Sequence, residues 1–104
     1  MHRIIGHDAH FNIHRKAAAN RLKHGIAFEE AITAFDDPNV LRAPDPAHST
    51  PAEERHWLIG ESDVSVLVVV FTVREPGDVV RLISARPASR KERKRYEENR
   101  RVSI

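Results

Sequence analysis

The sequence predicts an α+β fold in which two N-terminal helices pack on a small, mostly antiparallel sheet and a basic helix closes the chain. Three observations carry that expectation. Three strand-like runs, 55–61, 66–74 and 79–86, are joined only by "SDVS" and "EPGD". Connections that short cannot cross over, so the runs form an antiparallel meander. Two segments before residue 38 carry helical patterning, and "SRKERKRYEE" at 89–98 is a charged helix with its own start signal. With 104 residues, 40% of them hydrophobic, the chain builds one core, and residues 1–104 read as a single domain.

From the N-terminus, "HRIIG" or "DAHFNI" supplies a fourth strand. "HRKAAANRLKHG" at 14–25 is rich in helix formers, with Asn12 as the expected N-cap. Lys23, His24 and then Gly25 mark its stop, because cations suit the negative end of a helix and glycine accepts a left-handed cap. In "FEEAITAFDDP", Phe28, Ala31, Ile32 and Phe35 fall on one stripe, Glu29 and Glu30 occupy the favourable first turn, and Asp36, Asp37 and Pro38 end the helix. Residues 38–54 hold four of the six prolines and read as a loop, with a short extended piece around Val40 and Leu41. The run "VLVVVFTVR" at 66–74 is apolar at nearly every position, as a central strand covered on both faces must be. The last helix starts at Ser89, with Glu92 reaching back in a capping box. Pairs Arg93–Glu97, Lys94–Glu98 and Glu97–Arg101 are spaced to support it. Tyr96 is its one apolar anchor, so loose attachment is expected.

Net charge is only +2, but its distribution is uneven. Residues 1–25 carry five Lys/Arg against one Asp, and residues 86–104 carry eight against three Glu. Residues 26–57 reverse this, with two against seven. Basic ends around an acidic middle are the footprint of a polyanionic partner, either nucleic acid or an acidic protein. The absence of cysteine rules out disulfides and thiolate zinc sites and suits a reducing cytosol. The longest apolar run, "VLVVVF", is too short to cross a bilayer, and "MHRIIGHDAH" lacks the apolar stretch of a secretion signal. A cytoplasmic protein with no membrane association is expected. Among the seven histidines, His10 and His14 stand four apart, but without a third ligand at suitable spacing no metal site or cofactor is expected.

Four stretches, "KAAANRLKHGIAFEEAITAFDDP", "EERHWLIGES", "LVVVFTVR" and "RLISARPASRKERKRYEE", closely resemble, in consistent order over residues 16–98, the BrnT family of toxins from type II toxin–antitoxin systems. The resemblance implies a RelE-like fold, RNA cleavage that blocks translation, and neutralisation by a BrnA-type ribbon-helix-helix antitoxin through which promoter DNA is bound indirectly. The chain departs from the family pattern at three places. "FNIHRK" stands where a Trp-Asp pair precedes the first helix, Ala27 replaces a hydroxyl cap, and Pro87 replaces the second arginine of a Ser-Ala-Arg-Arg link.

A ribonuclease that uses the 2′-hydroxyl of its substrate needs a base, an acid and cations around the phosphate. Arg86, kept extended by Pro87, ends a strand beside the basic helix and is the first choice for phosphate stabilisation; the alternative is a rim residue that caps the sheet. Arg74, Glu92, Tyr96 and His24 complete the candidate catalytic set. Lys23, Arg55, Arg81 and Arg90 complete the substrate-binding set. His24 and Lys23 equally suit a helix C-terminus, and Arg55 equally suits a salt bridge to the acidic loop before it. Glu92 and Tyr96 lie one turn apart, placed for acid–base work or base stacking, or for capping and anchoring. If the "EPGD" connection holds an even number of residues, Arg74 shares a sheet face with Arg81; if odd, with Ser84 and Arg86. The competing function class is a non-catalytic module that holds nucleic acid or an acidic protein, and a third reading is an inactive toxin homologue acting as co-repressor with its antitoxin.

Overall fold

A computed structural model of the chain describes residues 10–12, 17–74 and 79–102. The elements run β1 (His10–Asn12), α1 (Ala17–His24), α2 (Phe28–Thr33), a 3-10 turn (Ala34–Asp36), β2 (Leu41–Pro44), β3 (His56–Glu61), β4 (Val66–Arg74), β5 (Val79–Pro87) and α3 (Arg90–Val102). The α+β expectation holds. The sheet has five strands in the order β1-β5-β4-β3-β2. β2 to β5 are antiparallel neighbours, and β1 joins β5 in parallel, Phe11 opposite Val80. The strand from "DAHFNI" is thus β1, and the extended piece near Val40 becomes a paired edge strand because Leu41 to Pro44 register against Ile59 to His56. Asn12, expected to cap α1, belongs to β1 instead. The turn within "EPGD" lies outside the described residues.

β4 is central, and its side chains are buried on both faces. On one face α2 and the 3-10 turn lay Phe28, Ala31 and Phe35 over Leu58, Leu67, Val69, Phe71, Val80 and Leu82. Phe35 bridges Phe11 and Phe71 edge to face, at centroid distances of 5.1 and 5.0 Å, so β1 is held by ring contacts as well as by its short ladder. The stripe predicted for 28–35 is borne out, with its last turn tightened to 3-10 geometry. Gly25 sits at φ +73° and its N–H donates to Arg21 O at 2.9 Å, the left-handed cap expected of it.

α1 meets the sheet through a polar contact. Asn20, its one buried residue, donates from Nδ2 to Ala85 O and Ile26 O and accepts from Ala85 N at Oδ1, each at 2.9 Å. The amide completes the β5 backbone at Ala85, in place of a neighbouring strand.

On the opposite face α3 covers only part of the sheet. Tyr96 is 1% exposed among Ile59, Val66, Val68 and Ala88. Its hydroxyl donates to Asp37 Oδ2, while Asp37 also accepts from the N–H groups of Asn39 and Glu61. Asn99 Nδ2 donates to Asn39 O at 3.1 Å. α3 is therefore more firmly docked than its apolar content suggests, because polar groups of Tyr96 and Asn99 reach the 37–39 link. The capping box forms, with Ser89 N bonded to Glu92 Oε1 at 2.8 Å and Glu92 N to Ser89 Oγ at 3.2 Å. The i, i+4 pairs expected along α3 are not among the ion pairs of the described residues.

One irregularity in β5 decides what faces outward. Leu82 registers with Phe71 and Ser84 with Val70, so Ile83 is an extra residue, a bulge. Arg81 opposes Thr72, Ser84 opposes Val70 and Arg86 opposes Val68, and these β4 partners alternate onto one face. Arg74 and Arg81 thus share a face, as an even connection requires. The bulge then adds Ser84 and Arg86 to that same face, so the two alternatives hold together.

Candidate functional site

The sheet face left open by α3 is the floor of a cleft of about 560 Å³. Trp57 of β3, Val68 of β4 and Ser84 of β5 line that floor, and cationic side chains stand around it. Asn20 ties α1 to Ala85, so the helix end carries Lys23 and His24 to the rim next to Arg86. Arg55 arrives from the loop leading into β3, and Lys91 and Arg95 from α3. Arg95 lies over the Trp57 ring, 5.9 Å from its centroid.

Among these cations Arg86 makes a bidentate pair with a carboxylate. Its Nη1 bonds Glu92 Oε1 at 2.7 Å and its Nη2 bonds Glu92 Oε2 at 2.9 Å. Glu92 is pulled down to about 2, mainly by the Arg86 hydrogen bonds and further by the Ser89 cap, and it raises Arg86 in return. A carboxylate held so firmly ionised is a poor proton donor near neutrality. Its geometry serves to orient Arg86 and to cap α3. The fork to Glu92 engages one N–H of each terminal nitrogen and Nη1 also donates to Pro87 O at 3.4 Å, out of the five N–H groups a guanidinium carries.

The other nominated residues divide by position. Lys23, His24, Arg55, Arg86 and Glu92 line the cleft together. Arg74 and Arg81 share its sheet face but converge on Glu53, at 3.7 and 3.0 Å. Arg55 joins them there through Nε, 3.0 Å from Glu53 Oε1, so its expected salt bridge forms while it also lines the cleft. Glu53 is accordingly held below the usual carboxylate range, most of all by the Arg55 hydrogen bond. Tyr96 is in the core, where burial first and the Asp37 bond second push its phenol upward, so the structure does not bring it to the cleft. Arg90 is exposed at the start of α3 and does not line the cleft, whereas Lys91 beside it does. The His10–His14 spacing falls outside the described side chains.

Sequence reasoning missed Asn20, His48, Trp57, Lys91 and Arg95. Two had a readable signal: Asn20 is a weak helix former amid alanines, and Trp57 is the sole tryptophan, set in a strand. Trp57 is half-buried against the Tyr96 cluster and lines the cleft, which Tyr96, the residue considered for base stacking in sequence, does not.

With this geometry in view, comparison with known families is decisive: residues 14–92 match the ribonuclease toxin, BrnT, of type II toxin–antitoxin systems. The chain belongs to the BrnT family. A comparison with curated proteins finds no match. Membership makes the chain a ribonuclease toxin with an RNA target and an antitoxin partner. Among the described residues no helix of this BrnT chain is long and apolar enough to cross a membrane.

Proposed function

We propose that the cleft cuts single-stranded RNA by attack of the substrate's own 2′-hydroxyl, without a metal ion, and so stops translation in the cytoplasm. The observation that carries this reading is the convergence of Lys23, Arg55, Arg86, Lys91 and Arg95, from different elements, around a floor that displays Trp57. The cations grip the phosphate and neutralise charge as it builds in the transition state, with Arg86 nearest that task, and Trp57 stacks a base. Arg74 and Arg81 extend the basic face past Glu53 for flanking phosphates. The partner that silences the toxin is a BrnA-type ribbon-helix-helix antitoxin whose acidic or apolar segment covers the cleft, and the pair binds promoter DNA through that antitoxin.

The test is incubation of purified protein with RNA in chelator. Fragments ending in 2′,3′-cyclic phosphate are expected, with Arg86→Ala slower by about 10²–10³-fold. Arg86→Lys should not restore the rate, because a point charge does not reproduce a planar fork. Intact RNA under conditions where the toxin arrests growth overturns the mechanism. A second reading, a non-catalytic or co-repressing homologue, draws support from the Glu92 carboxylate already occupying the Arg86 fork and from Pro87 beside it. It predicts that the RNA stays intact and that Arg86→Ala behaves like the parent.

A further inference from the structure

The proposed reaction needs a proton acceptor, and the cleft holds one that the sequence pattern did not reveal. The loop between β2 and β3 closes on itself. Asp45 N donates to Arg55 O at 2.8 Å, Ser49 Oγ donates to Asp45 O at 2.7 Å, and Arg55 N donates to Ser49 Oγ at 2.9 Å. That closure sets Asp45, only 9% exposed, beneath His48, and both side chains line the cleft alongside Arg55. His48 Nδ1 lies 2.7 Å from Asp45 Oδ2, while the His48 side chain remains 64% exposed. An ionised carboxylate accepts only from a protonated Nδ1. The neutral ring therefore keeps its lone pair on Nε2.

Resting on the ribonuclease reading above, we infer that His48 is the general base of the cleft and that Asp45 is the positioning residue that fixes its tautomer. His48 Nε2 takes the proton of the 2′-hydroxyl. The 2′-oxygen forms its bond to phosphorus as the bond from phosphorus to the 5′-oxygen breaks, and that oxygen leaves with a proton from solvent. The products are a 2′,3′-cyclic phosphate and a 5′-hydroxyl, and His48 returns its proton to water. Lys23, Arg55 and Arg86, which line the same cleft, hold the phosphate while this occurs.

The experiment compares two RNA substrates cut by purified full-length chain, one natural and one with sulfur replacing the bridging 5′-oxygen, whose thiolate leaves without needing a proton. His48→Gln should fold like the parent, checked by its melting curve, and should slow both substrates equally, by about 10²–10⁴-fold. Asp45→Asn should slow cleavage in the parent and add nothing in the His48→Gln background, because the two act as one unit. A mainly structural role for Asp45 would instead give an additive loss. Parental rates for His48→Gln on the natural substrate, or rescue of that variant by the sulfur substrate alone, overturn the assignment as base. Failure of the ribonuclease reading shows separately, as a parent chain that leaves both substrates intact, and overturns both.

Discussion

Arg86 and Glu92 show how one ion pair can serve a site and a fold at once. The carboxylate that orients the guanidinium also accepts from Ser89 N, so it joins the end of β5 to the start of α3. Glu92→Gln should lower stability by about 0.5–2 kcal/mol in urea titration, the usual worth of a cap. It should also raise RNA affinity or lower catalytic order, according to whether the freed guanidinium finds phosphate or wanders. The pH dependence has a definite sign. The folded-state value of about 2 lies below the ordinary 4.5, so the stability from Glu92 is present above about 4.5 and is lost as pH falls toward 2. Between those limits the parent should lose stability more steeply than Glu92→Gln. Equal slopes would remove the pair from the stability account. Asn20 is the other residue with leverage, since all three of its bonds are buried. Asn20→Ala strands the Ala85 amide and carbonyl and should cost about 1–3 kcal/mol in the same assay. It should also weaken the site, because Lys23 and His24 are carried by the same helix.

At the level of elements, α3 is the one whose behaviour composition describes least well. Its side chains are nearly all charged, yet Tyr96 and Asn99 secure it to the 37–39 link. Tyr96→Phe keeps the ring packing and loses only the bond to Asp37, for an expected cost of about 1–2 kcal/mol in chemical unfolding. Tyr96→Ala removes the packing as well and should cost about 3–5 kcal/mol, with hydrogen exchange rising first along α3. If exchange rises uniformly instead, the helix unfolds with the sheet as one unit. The other face of the sheet has a tight fit of another kind. A Cβ at Gly60 would stand 2.9 Å from Ala34 O and 3.1 Å from Val40 Cγ2, so β3 can run beneath the 3-10 turn only where no side chain intervenes.

For the whole molecule, the cleft should make RNA binding strongly dependent on salt. With roughly four or five phosphates contacted, log K should fall against log salt with a slope near −3, at about −0.7 per contact for a single strand. Measuring the slope by fluorescence anisotropy, and finding it near zero, would disconnect the cleft from RNA. Much of the architecture was legible in sequence because its causes are local. Apolar runs joined by four-residue links dictate a meander, and Ser89 with Glu92 dictates a helix start. Half of the nominated cations also meet in one place, because strand ends and helix ends were correctly located. What escaped is non-local: Asn20 answers a backbone gap 65 residues away, and His48 reaches the cleft only after its loop folds back on Arg55. The parity of β5 escaped for the same reason, since "VVRLISAR" carries no mark of the surplus residue at Ile83. That kink makes the toxin sensitive to length where it is tolerant of identity. Swapping Ile83 for another aliphatic changes little, whereas losing or gaining a single residue there turns the downstream strand over like a flipped card, sending a guanidinium into oil and an alanine methyl into water.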